Sequence, residues 1–95
     1  MMSKGKRIVE VLADENPDAI LYDGMDDALI GIYRGDLARQ DMQDSAIAIY
    51  SYIKFIELYI EEGMSEEEAV ECFDFNVAGG YIGIYQPIVI DDTGV

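Results

Sequence analysis

Apolar positions recur at helical spacing in three stretches of the chain and form short strand-like strips in four others. From Lys6 to Glu15, the positions Ile8, Val9, Val11 and Leu12 predict a short amphipathic helix. Asn16-Pro17-Asp18 stops it, because proline disfavours a helical residue before it. Ala19 to Tyr22 reads as a short strand, and Asp23-Gly24-Met25-Asp26-Asp27 as a turn. Ala28 to Tyr33 reads as a second strand, the expected hairpin partner of the first, with Gly31 marking a bulge or a close approach. Arg34 to Ser45 is polar and is the expected mobile loop. Ala46 to Tyr50 alternates small and large residues, which puts Ile47 and Ile49 on one face. That alternation favours a third strand, although alanine would also suit the start of the next helix.

Ser51 can cap a helix over Tyr52 to Glu62. Its polar stripe is narrow, with Lys54, Glu57 and Glu61, while Tyr52, Ile53, Phe55, Ile56, Leu58, Tyr59 and Ile60 cover most of the circumference. Such a helix is expected to be buried on two sides or to lie at a subunit interface. Gly63 ends it. Ser65 stands three residues before Glu68, the spacing of a capping box. Glu66, Glu67 and Glu68 also meet the positive end of the helix dipole. Ala69, Val70, Phe73 and Val77 predict the core face of this second helix, and Glu67, Glu71 and Asp74 its other side. Gly79 and Gly80 are the expected helix exit. Tyr81 to Tyr85 reads as a glycine-interrupted connection, Pro87 to Ile90 as an edge strand and Asp91 to Val95 as a polar tail. The expected fold is α+β in a single domain over residues 1–95: a small, mainly antiparallel sheet of three or four strands, a C-terminal helix hairpin on one face and a short N-terminal helix.

Composition sharpens this picture mostly by exclusion. A chain of 95 residues buries a modest core, which makes a homodimer or higher homo-oligomer the expected state. One cysteine, Cys72, excludes an intramolecular disulfide, and the absence of histidine removes the usual catalytic base and zinc ligand. Asp23, Asp26 and Asp27 lack the ligand alternation of a calcium loop. Gly79-Gly80-Tyr81-Ile82-Gly83 lacks the context of a phosphate loop. No catalytic residue, metal site or cofactor is therefore expected. With no signal peptide and no apolar run of spanning length, the expected compartment is the cytoplasm.

Charge carries the functional reading. Twenty acidic residues oppose six basic ones, a net charge of −14. Such a field repels nucleic acid and anionic membranes and favours a basic protein partner. Glu57, Glu61, Glu66, Glu67, Glu71 and Asp74 fall in the helix hairpin and are the expected partner-binding face; carboxylates on a rigid surface can stand in for duplex phosphates. The alternative is a solvated face on a self-associating structural or scaffolding module, with Tyr52, Phe55, Tyr59 and Phe75 as the contact, or an oligomer that sequesters a small ligand.

The segments Ile60-Glu61-Glu62-Gly63-Met64-Ser65-Glu66-Glu67-Glu68-Ala69-Val70-Glu71 and Phe73-Asp74-Phe75-Asn76-Val77-Ala78-Gly79-Gly80-Tyr81-Ile82-Gly83 resemble those of small uncharacterised acidic proteins encoded by bacteriophages. The resemblance extends to Asp27–Ile32 and Pro87–Ile90, and its most specific part is Phe-x-Phe-Asn-Val-x-Gly. It implies a phage or prophage origin and brings no assigned activity. By analogy of class and charge, it points to a non-catalytic inhibitor of a basic host protein, such as a nuclease, a CRISPR component or a DNA-binding regulator.

Overall fold

The first helix, α1 (Lys4–Glu15), begins where the Ser3 hydroxyl accepts from the Lys6 amide at 3.3 Å. It buries Ile8 and Leu12. A Cβ at Gly5 would overlap the Asp26 carbonyl, so glycine is required for α1 to cross the 3-10 turn Asp26–Ala28 this closely. Asn16 ends α1 and is buried, a costly place for an unpaired amide. Its Nδ2 donates to the Ala46 carbonyl at 2.9 Å, and its Oδ1 accepts from the Asp18 amide at 3.2 Å. One side chain thus stops the helix and fixes the start of a strand thirty residues later.

A computed structural model describes residues 3–34, 46–78, 83 and 85–93. Most of the expected loop Arg34–Ser45, the glycine exit at Gly79 and Gly80, and most of the connection Tyr81–Tyr85 lie outside them.

The expected strand Ala19–Tyr22 does not form. Its amides find scattered partners instead of a ladder: Ala19 N donates to the Asn16 carbonyl, Ile20 N to the Tyr85 carbonyl, and Tyr22 N to the Tyr50 hydroxyl. The hairpin expected between it and Ala28–Tyr33 is therefore absent. Instead, β1 (Leu29–Tyr33) pairs antiparallel with β2 (Ile47–Ser51), with Leu29 opposite Tyr50 and Tyr33 opposite Ile47. The register slips between Leu29 and Gly31, which places the bulge where Gly31 pointed. On the other side of β2, β3 (Ile88–Ile90) pairs parallel, with Ile49 opposite Ile88. The fold is α+β, and its sheet is three-stranded and mixed, in the order β1-β2-β3.

A parallel partner needs a crossover connection. Here it contains two helices, α2 (Tyr52–Glu61) and α3 (Glu66–Phe73), followed by a π-helical turn, Asp74–Ala78. Ser51 caps α2 by accepting from the Lys54 amide at 3.2 Å. Gly63, at φ +109°, lets the chain leave α2 through a region that other residues rarely enter. Ser65 and Glu68 form the capping box, at 3.1 Å and 3.0 Å. The Ser65 amide holds the Glu68 carboxyl below its ordinary range.

The core lies between the sheet and these helices, and aromatic rings dominate it. Phe55 meets Tyr22, Tyr50 and Phe73 edge-on, with ring centroids 5.4–5.6 Å apart. Tyr59 tilts against it at 5.7 Å. Each fully buried ring of this size contributes about 1.5–3 kcal/mol of transfer free energy, and each edge-on pair about 0.5–1.5 kcal/mol more. Burial raises the Tyr50 hydroxyl above its usual pKa. Burial, and then the neighbouring Cys72 thiol, pushes Tyr59 up to about 12. Much of the breadth of the apolar surface on α2 is explained by its packing, since it touches β2, α3 and the 3-10 turn together, while Ile53 and Ile60 stay exposed. Among the described residues, no helix is long and apolar enough to cross a membrane.

Candidate functional site

The capping box at Ser65 starts α3 and so sets which residues point outward. Ala69 and Phe73 turn into the core, and Val70 and Val77 are half-buried beside them. Glu67, Glu71 and Asp74 then occupy the opposite side by helical spacing. All six expected partner-binding residues, Glu57, Glu61, Glu66, Glu67, Glu71 and Asp74, are exposed. Among the described residues, the one ion pair joins Arg34 to Glu15, so no described basic residue neutralises any of the six by direct contact.

The six divide into groups of unequal charge. Glu57 and Glu61, one turn apart on α2, line a hollow of about 230 Å³ with Asp27, Leu58 and Lys54. There, three carboxylates face one ammonium. Glu66, Glu67 and Glu71 line an open depression of about 670 Å³ with Val70 and, among the described residues, no basic one. Asp74 follows Glu71 by three positions, at the start of the π-helical turn. The α3 side is thus the stronger anionic surface. At a rise of about 1.5 Å per residue, carboxylates three or four residues apart fall every ~4.5–6 Å along the axis, against ~3.4 Å for the phosphates of one DNA strand.

The expected self-association residues separate. Phe55 and Tyr59 are 1% and 8% exposed, inside the protein's own core, and cannot form a contact between folded copies. Tyr52 is half-buried, with its ring 4.8 Å from Phe73 and perpendicular to it. Only Phe75 stands out, 87% exposed. A phenyl ring left in water forgoes roughly 1.5–3 kcal/mol of burial. It lines a second open groove, of about 480 Å³, with Met64, Glu68, Glu71, Cys72 and Asn76. Asn76 Nδ2 donates to the Cys72 sulfur at 3.1 Å, which ties the π-helical turn to the preceding helical turn. Sequence reasoning singled out Phe75 but not this groove. The signal was present, because Phe75 falls off the Ala69–Phe73–Val77 stripe and on the Glu68–Glu71 side.

Asp92, read from sequence as part of a tail, has a structural task. Its Oδ2 accepts from the Ser51 hydroxyl at 2.5 Å and its Oδ1 from the Ile53 amide at 3.1 Å, so it completes the N-cap of α2. The Ser51 hydroxyl and then the Ile53 amide hold the Asp92 carboxyl below its ordinary range. Asp23, Asp26 and Asp27 do not converge; among the described residues, no three acidic or cysteine side chains are grouped as metal ligands.

Compared with protein-family models, curated proteins and solved structures, the chain matches none.

Proposed function

We propose that the chain is a non-catalytic acidic protein of the bacteriophage type that binds and blocks a basic host protein, one that handles nucleic acid or serves in defence. The observation that carries this reading is the set of exposed, unneutralised carboxylates on the hairpin, strongest on α3. A rigid anionic surface on a chain of net charge −14 accelerates encounter with a basic partner and makes the complex salt-sensitive. The carboxylates are sparser than duplex phosphates, so the proposed mimicry works through charge sign and overall outline, with the partner's basic groove as its target. To test this, immobilised protein is loaded with bacterial lysate at low salt and eluted with a salt gradient, beside a triple variant, Glu67→Lys, Glu71→Lys and Asp74→Lys. A basic protein retained only by the unaltered chain and displaced by duplex DNA is expected. Equal retention on both columns overturns the reading.

A second reading, self-association, is favoured by the other face of the sheet. By alternation and register, Gly31, Tyr33, Ile47, Ile49, Ile88 and Ile90 point away from the core. Tyr33, Ile88 and Ile90 are exposed, and none of the six is charged. On so acidic a chain, this is where a second copy can approach without opposing like charges. Sedimentation equilibrium is expected to give a dimer that Ile88→Lys converts to a monomer; a monomer at high micromolar concentration rules the interface out.

A further inference from the structure

We infer that the groove beside Phe75 is a seat for an arginine side chain of the basic partner. The inference rests on the proposed function and names what the acidic face grips. Glu68, Glu71, Cys72 and Phe75 follow one another at helical spacing on one side of α3 and its π-helical turn, and Met64 also lines the groove. The seat therefore combines an exposed aromatic ring, a soft apolar lining from Met64 and Cys72, and two carboxylates. One oxygen of Glu68 already accepts from the Ser65 amide, which holds that carboxylate in place. Among the described residues, no basic one lines the groove.

These elements suit one side chain better than others. A guanidinium stacks its plane on an aromatic face, donates in a fork to a carboxylate and is weakly hydrated, while its aliphatic stem covers apolar surface. An ammonium answers the carboxylates but is strongly hydrated and has no plane to stack. A neutral apolar side chain would cover Phe75 while drawing two carboxylates out of water without compensation. π-Helical turns are frequent at functional sites, and this one presents the ring.

The test uses the full chain and two labelled peptides of equal charge, nona-arginine and nona-lysine, with binding followed by fluorescence anisotropy at low salt. The unaltered protein is expected to bind nona-arginine about fivefold more tightly, the scale of one exposed cation–π contact. Phe75→Ala should remove that preference and leave nona-lysine binding unchanged. Because Phe75 is 87% exposed, the variant keeps its fold, which its thermal midpoint verifies. Equal affinity for the two peptides, or an equal loss for both in Phe75→Ala, overturns the arginine seat while the acidic-face reading stands. Failure of both peptides to bind defeats that reading as well. If Phe75→Ala instead dissolves an oligomer, the groove holds a second copy and the inference is wrong.

Discussion

Phe73 and Phe75 share a side chain and stand two positions apart, yet one ring is 7% exposed and the other 87%. Phe73 continues the stripe from Ala69 toward α2, where it meets Tyr52 and Phe55 edge-on. Phe75 falls on the opposite side, in a groove with Glu68 and Glu71. The inner face of the hairpin is set by folding, with every ring touching another. The outer face carries charge and one ring that folding does not use. Position on the helix, more than residue type, decides which role a phenylalanine takes.

The strongest way to break the inner face is Phe55→Ala. It removes the ring that Tyr22, Tyr50, Tyr59 and Phe73 all touch, and should cost about 3–5 kcal/mol, enough to unfold most of a marginally stable small domain. Urea titration followed by circular dichroism measures it. A loss below ~1 kcal/mol would mean that the rings are not a cooperative core.

A smaller effect is expected from pH. Glu15, Glu68 and Asp92 are held below their ordinary pKa values by the Arg34 guanidinium, the Ser65 amide and the Ser51 hydroxyl respectively. A carboxyl whose pKa is lowered by folding lends full stability above its unfolded value and loses it as pH falls through the folded one. The thermal midpoint should therefore decline below about pH 4. Asp92→Asn should flatten that decline. The smallest effect is expected from Phe75→Ser, whose stability should stay within about 0.5 kcal/mol of the original. A larger loss would show that the exposed ring belongs to the fold after all.

Features written in neighbouring residues were legible in the sequence. Ser51, Ser65 with Glu68, and Gly63 announce helix ends through contacts three or four residues long, and each stands where it was expected. The small–large alternation of Ala46 to Tyr50 likewise gave its strand. Features that depend on distant partners were not legible. Ala19–Tyr22 carries strand-like residues, but its amides are taken by Asn16, Tyr85 and Tyr50. The parallel pairing of β3 depends on where the α2–α3 hairpin returns the chain. At the candidate site, helical spacing predicted the exposure of the carboxylates. It did not reveal that Lys54 shares a hollow with Glu57 and Glu61, or that Phe55 and Tyr59 would be consumed by the core.

The Asp92 cap ties two events together in time. Ser51 belongs to β2 and lies opposite Ile90, two residues before Asp92. When β3 lifts from the sheet, the carboxylate leaves with it, and the Ile53 amide loses its acceptor. Hydrogen exchange at that one amide therefore works as a clock for the departure of the last strand, readable while the rest of the domain stays closed.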